Sequence, residues 1–127
     1  MLPFAVELKP GVPVAEQIIY HAKKAIVSGR LKPGEKFPSI RQLSFELSIN
    51  HNTAQRVVAT LVTEGVLVTT PAVGSIVAEP SPGGKADKAE LLGADLEQVV
   101  VEAKKLGLEF SDVQKGLWAH WQRLGGK

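Results

Sequence analysis

The chain has 127 residues, of which 44% are hydrophobic, and this fits one compact domain or a small domain with a short appendage. No apolar run approaches the roughly 20 residues that a membrane-spanning helix needs, and the N-terminus lacks an export signal. We therefore expect a cytoplasmic protein that does not contact the membrane. The absence of cysteine excludes disulfide bonds, a thiol nucleophile and thiolate metal ligands.

The net charge of +2 and the pI near 9.0 favour an anionic partner only weakly. Residues 1–80 contain eight Lys and Arg against six Asp and Glu, whereas residues 81–127 contain seven of each kind. The positive excess therefore lies in the N-terminal part. An ordinary solvated surface and a nucleic-acid-binding surface are both compatible with this distribution.

A short extended segment and a first helix are predicted at the start of the chain. Phe4, Val6 and Leu8 alternate with other residues, as is typical of an extended segment, and a Pro-Gly pair ends it. From about residue 13 to residue 28, apolar residues recur on one helical face, and Gly29 suits the left-handed position that follows the helix. That face consists of Val14, Ile18, Ala22, Ala25 and Ile26.

A second helix is predicted to begin at Ser39. Residues 39–42 read Ser-Ile-Arg-Gln, the form of a capping box, in which two side chains bond backbone N–H groups that would otherwise be free. Ile40, Leu43 and Leu47 form the buried face of this helix. Residues 48–50 then make a connection of the length that a helix-turn-helix allows.

A third helix is predicted after Asn50, which is a suitable N-cap. Its buried face consists of Ala54, Val57, Val58 and Leu61. At 100° per residue the opposite face consists of Asn52, Arg56, Ala59 and Thr63. Polar and small side chains therefore project outward from the first turns, which is where a recognition helix meets base edges.

A β-hairpin is predicted after Gly65. Residues 66–70 and 75–78 resemble two strands, and the tight loop at residues 71–74 joins them. A hairpin that follows a helix-turn-helix is a wing. We therefore expect residues 1–79 to form a winged helix-turn-helix DNA-binding domain.

A different composition follows the Pro- and Gly-rich residues 80–84, which are expected to form a flexible linker. A helix with one apolar stripe, ended by Gly107, is predicted first; the stripe consists of Leu92, Leu96, Val99, Val100, Ala103 and Leu106. A second capping box is predicted at residues 111–114. It opens a last helix with Val113, Leu117, Trp121 and Leu124 on one side.

The two short helices of residues 85–127 are too small to form an independent core, because segments of about 40 residues or fewer seldom do so. The N-terminal domain could cover them by folding back, but the glycines of the linker favour pairing with the same helices of a second subunit. The segment is therefore expected to make a homodimer. The residues expected at the interface are Leu96, Val99, Val100, Ala103, Leu117 and Trp121.

The stretch from Gly29 to Val77 resembles the N-terminal domain of GntR-type bacterial transcription regulators. The extended N-terminus, Gln17-Ile18 in the first helix and the short tail resemble the YtrA-like subfamily. The resemblance implies a mainly α fold with a small β-hairpin: a winged helix-turn-helix followed by a two-helix dimerisation segment. It also implies a homodimeric regulator, usually a repressor, that binds a palindromic operator in double-stranded DNA.

The resemblance also indicates which residues contact DNA. The family's arginine aligns with Arg41, which would meet a base or a phosphate, although a plain surface arginine is also possible. Ser39 would contact a phosphate in addition to capping its helix, or would serve as a cap alone. Family members commonly have arginine at the position of His51, so that contact is weakened here or made pH-sensitive. The expected DNA-binding residues are Lys36, Ser39, Arg41, His51, Asn52, Thr53, Gln55, Arg56 and Gly74.

The wing departs from the family pattern, because residues 69–73 lack the arginine or lysine that family wings carry before the turning glycine. An uncharged wing and the histidine at position 51 leave open a second interpretation, a winged-helix module that binds proteins and not specific DNA. No catalytic constellation, cofactor motif or metal-ligand spacing of the three histidines is found, so we expect neither an enzyme nor a cofactor. The sequence does not indicate whether a small-molecule effector binds.

Overall fold

The computed structural model describes residues 2–80 and 83–125. The chain divides into two compact units, residues 1–80 and residues 81–127, which we call the N-terminal unit and the C-terminal unit. Among the described helices, none is long and apolar enough to cross a bilayer.

The N-terminal unit consists of three helices and an antiparallel hairpin. Its elements are α1 (Val14–Val27), α2 (Ile40–Leu47), α3 (His51–Thr63), β1 (Leu67–Thr70) and β2 (Gly74–Val77). Helix α3 packs against α1, α2 and β1, and the predicted winged helix-turn-helix is thereby confirmed. The fully buried side chains at the centre of this packing are Ile18, Leu31, Leu43, Val57, Leu61, Leu67 and Val77.

The N-terminal segment is tied to α1 by the side chain of Gln17. Its Oε1 accepts a hydrogen bond from the backbone N–H of Lys9 at 2.7 Å, and its Nε2 donates to the carbonyl oxygens of Lys9 and Val12 at 2.8 Å each. The ring of Phe4 is buried and stacks on Phe37, with the ring centroids 5.7 Å apart. The segment is therefore an integral part of the core.

The connection between α1 and α2 pairs with the hairpin. The N–H of Gly34 donates to the carbonyl of Val77, the N–H of Val77 donates to Glu35, and the N–H of Phe37 donates to Ser75, all at 2.9 Å. The local sequence pattern had not predicted this pairing. These bonds fix the connection to β2 and thereby position the residue between them, Lys36, at the base of the wing.

The C-terminal unit begins with a long helical stretch. It consists of α4 (Lys85–Glu90), a π-helical turn (Leu91–Asp95) and α5 (Leu96–Lys105), with helical backbone dihedrals at both junctions. The sequence pattern predicted a helix with its apolar stripe from Leu92 onward but not the π-helical turn. The predicted end at Gly107 is confirmed, because Gly107 has φ of 76° and the N–H of Leu108 returns to the carbonyl of Ala103 at 2.9 Å.

The last helix, α6 (Phe110–Arg123), begins earlier than expected. The predicted capping box at residues 111–114 is wrong: the N-cap is Glu109, whose backbone N–H donates to Oδ2 of Asp112 at 2.8 Å while its own carboxylate accepts from the N3 backbone. A carboxylate at this position both accepts the free N–H groups and interacts favourably with the helix dipole. Glu109 therefore replaces Ser111 as the cap, and the helix gains two residues, Phe110 and Ser111, at its start.

Candidate nucleic-acid interface

Ser39 fixes the start of α2. Its Oγ accepts a hydrogen bond from the backbone N–H of Gln42 at 3.0 Å, which confirms the capping role that the sequence predicted. The side-chain amide of Gln42 donates to Oε2 of Glu46 one turn later, at 2.9 Å. The Ser39 side chain is exposed, and its hydroxyl hydrogen can still be donated to an anion in front of the helix.

The turn between α2 and α3 is held by local hydrogen bonds. Ser48 adopts the left-handed conformation with φ of 53°, and the N–H of Ile49 donates to the carbonyl of Ser44 at 3.0 Å. The Oδ1 atom of Asn50 accepts from the N–H of Asn52 at 2.7 Å, so the predicted N-cap of α3 is confirmed. The direction of α3 relative to α2 is thus set within three residues.

Helix α3 presents polar side chains on one side and buries apolar ones on the other. Ala54, Val57 and Leu61 are fully buried. Of the residues expected to contact DNA, Thr53 is half-buried, and the exposed ones are His51, Asn52, Gln55 and Arg56. The first two turns of α3 therefore offer hydrogen-bond donors and acceptors to a partner in front of the helix.

Two arginines of this surface are available to an anionic partner. Arg41 on α2 and Arg56 on α3 are both exposed, and within residues 2–80 neither has a carboxylate at ion-pair distance. Within residues 2–80, an ion pair joins Lys23 on α1 to Glu64 after α3, and it involves neither arginine. An unpaired guanidinium can form the two parallel hydrogen bonds that a phosphate or a guanine edge accepts.

Lys36, Ser39 and Gly74 lie together around an open hollow of about 370 Å³. The hollow lies between the wing turn and the start of α2, and it is completed by Pro3, Phe37, Pro38, Gln42, Val73 and Ser75. A lysine, a helix N-terminus and the backbone of a glycine converge here. These are the groups that commonly bind phosphates.

A second open hollow, of about 620 Å³, brings Arg41 and His51 together. Its walls also include Phe45, whose side chain is 84% exposed and which was not among the residues expected to contact DNA. The helical position of this residue indicates its exposure. Position 45 lies outside the buried face of α2, which is formed by Ile40, Leu43 and Leu47, and it follows Arg41 by one turn. An apolar side chain at such a position is exposed by the geometry of the helix.

The wing forms the expected tight turn, and its residues carry no charge. Ala72 and Gly74 have φ values of 67° and 98°, and the N–H of Val73 donates to the carbonyl of Thr70 at 3.2 Å. Alanine is strained in this left-handed region, whereas glycine is not. No lysine or arginine occurs between residues 57 and 84, so the tip presents Pro71 and the 45%-exposed Val73 to any partner.

A model of the bacterial regulatory proteins of the gntR family matches residues 14–77, which is half of the chain. The chain belongs to the GntR family. It is therefore a transcription regulator with a DNA-binding domain, in a family of regulators rather than enzymes.

Relatives of similar length support this assignment. The chain is 27% identical to the HTH-type transcriptional repressor YtrA of Bacillus subtilis strain 168, over 87% of this chain and 85% of YtrA. It is 31% identical to the uncharacterised HTH-type regulator YhcF of the same strain, over 82% and 83%. A crystal structure described as a transcriptional antiterminator from Listeria monocytogenes EGD-e superposes with a TM-score of 0.84, at 25% identity, over 98% of this chain and 94% of that one.

The C-terminal unit of this GntR-family protein exposes much of its apolar surface. Of the residues expected at a dimer interface, Ala103 is buried and Leu96 half-buried. The exposed ones are Val99, Val100, Leu117 and Trp121, with exposures of 48%, 40%, 53% and 61%. Trp118 is 60% exposed, and it lines an open hollow of about 460 Å³ with Leu117, Trp121, Gln114 and Lys115. Among the described residues, α6 does not pack extensively on another element.

Proposed function

We propose that this GntR-family regulator is a repressor that binds a palindromic operator as a homodimer. The observation that carries the proposal is the surface formed by the starts of α2 and α3, where Arg41 and Arg56 are exposed and unpaired in residues 2–80. YtrA, a relative of similar length, is described as a repressor, which supports the direction of regulation. Such an activity requires access to the chromosome and hence a cytoplasmic location.

In this proposal α3 enters the major groove. His51, Asn52, Gln55 and Arg56 then face base edges or the adjoining phosphates, and the half-buried Thr53 borders the groove. Arg41 approaches from α2 and pairs with a guanine, the commonest specific contact of arginine.

Phosphates fix the register of the domain on the duplex. We place one phosphate in the hollow lined by Lys36, Ser39 and Gly74, where the lysine, the serine hydroxyl and backbone groups are available to it. The uncharged wing then contributes contact through its backbone and through Val73, without adding to the electrostatic attraction.

The second copy of the chain is the partner proposed for the C-terminal unit. Its exposed valines, leucine and tryptophans need cover, and a symmetric pair of α5–α6 surfaces would cover them without any additional protein. A two-fold dimer would present its two copies of α3 to half-sites separated by about one helical turn of DNA, and the operator is therefore palindromic.

Selection of bound sequences from random duplex DNA tests the proposal. The purified full-length protein should enrich an inverted repeat, and its affinity for that repeat should fall steeply with salt because phosphate neutralisation releases counterions. Failure to enrich any sequence, together with salt-insensitive binding, would support the alternative of a protein-binding winged-helix module. A single half-site without its repeat would contradict the dimeric mode.

A further inference from the structure

Phe45 is the most exposed large apolar side chain among the described residues, with 84% of its surface open to solvent. It lies on α2 one turn after Arg41, so the two side chains share a face of the helix. Helix α2 is attached to the core by Ile40, Leu43 and Leu47, which lie on its other side. Phe45 therefore has no part in the packing of the domain, and its ring is available to whatever approaches this face.

The surroundings of Phe45 indicate what that partner is. The open hollow of about 620 Å³ beside it is lined by Ser39, Arg41, Gln42, Ser44, Ile49 and His51, and no acidic residue is among them. The hollow lies between the starts of α2 and α3, beside the surface that we propose to enter the major groove. An arginine and hydrogen-bonding groups around an exposed ring suit a polyanion that also carries an apolar group. Duplex DNA is such a partner, because thymine carries a methyl group on its major-groove edge.

We propose that Phe45 packs against the methyl group of a thymine beside the base that Arg41 reads, and thus determines sequence preference at that position. This inference rests on the proposed function, since it places α2 at the edge of the major groove. Phenylalanine is among the side chains that pack on this methyl group. Burial of one group of methyl size corresponds to about a fourfold gain in affinity.

The contact between Phe45 and the methyl group is tested by replacing the thymidines of the selected operator, one at a time, with deoxyuridine. Deoxyuridine differs from thymidine only in lacking the methyl group. With the full-length protein, one position in each half-site should bind about fourfold more weakly after the replacement. The Phe45→Ala variant should bind the unmodified operator more weakly and should no longer distinguish thymidine from deoxyuridine there. Phe45→Leu, which keeps an apolar side chain, should retain part of the discrimination.

Tyr20→Ala is the matched control. It removes a 58%-exposed aromatic residue from α1 of the same unit and should leave both the affinity and the response to deoxyuridine unchanged. Because Phe45 is exposed, Phe45→Ala should unfold at the same temperature as the parent protein.

Equal sensitivity to deoxyuridine in the parent protein and in Phe45→Ala would overturn the inference, as would an affinity that Phe45→Ala does not change. Both results are obtained on an operator that the protein binds specifically, so they leave the proposed function intact. Failure to select any operator would instead reject the proposed function and this inference together.

Discussion

The two units of this regulator place their apolar side chains in opposite ways. The N-terminal unit buries leucines, isoleucine and valines completely between three helices and a hairpin, and it exposes polar side chains at the starts of α2 and α3. Among residues 83–125, by contrast, Ala103 is the one buried apolar residue, while tryptophans, valines and leucines are exposed. The N-terminal unit therefore has a complete core of its own, whereas we propose that the C-terminal unit completes its core with a second copy of the chain.

Trp121→Asp in α6 has the largest expected effect, and it tests whether a second copy covers the C-terminal unit. If the C-terminal unit is covered by a second copy, the substitution buries a charge without a partner at the interface, which costs several kcal/mol. Sedimentation should show a dimer for the parent protein and a monomer for the variant at micromolar concentration. Val27→Asp, at a 64%-exposed position of α1, should leave the dimer intact. A variant Trp121→Asp that remains dimeric would place the interface elsewhere.

Leu61→Ala in α3 tests whether the N-terminal unit is stable through its own core. Leu61 is fully buried in a unit that has its own core, so its truncation should lower the free energy of unfolding of that unit by about 2–5 kcal/mol. Denaturant unfolding of residues 1–80 alone should show the loss, with a midpoint that does not depend on protein concentration. A midpoint that rises with concentration would mean that the N-terminal unit also relies on a partner.

The features that could be predicted from the sequence are those that depend on neighbours along the chain. The caps at Ser39 and Asn50, the faces of α2 and α3 and the glycine at position 107 are local, and all of them are confirmed. The pairing of residues 34–37 with β2 was missed because it joins segments about forty residues apart, and no local pattern encodes it.

Two other features were missed because the sequence offered competing signals. Glu109 and Ser111 each precede a suitable residue three positions later, and only the folded helix shows that the pair of Glu109 and Asp112 forms the cap. Phe45 has a large apolar side chain of the kind usually buried in a core, yet its position on α2 exposes it beside Arg41. Apolar character alone therefore did not indicate its location, whereas helical position did.

Arg41→Ala tests whether Arg41 contacts a base or only a phosphate. If Arg41 pairs with a base, its loss should cost about 1–3 kcal/mol per half-site on the selected operator and should relax preference at one base position. Non-specific binding should weaken much less. Fluorescence anisotropy with the operator and with single-base variants measures both effects. An equal loss on every duplex would show that Arg41 contacts a phosphate only.

The smallest expected effect concerns the uncharged wing. Val73 is 45% exposed at the wing turn. Together with Lys36 and Gly74 it lines the hollow in which we place a phosphate. Val73→Arg should therefore strengthen binding to all duplexes, and it should steepen the dependence of log affinity on log salt by about one unit for each new phosphate contact.

Val27→Arg adds the same charge at an exposed position of α1 and is the control for net charge. A long-range field attracts DNA wherever the charge lies, whereas counterion release at a contact depends on the position of the arginine. If the two variants steepen the salt dependence equally, the wing does not reach the backbone. A steeper salt dependence for Val73→Arg than for Val27→Arg would place the wing against a phosphate, and it would show that the parent wing lacks only the charge for an electrostatic contact.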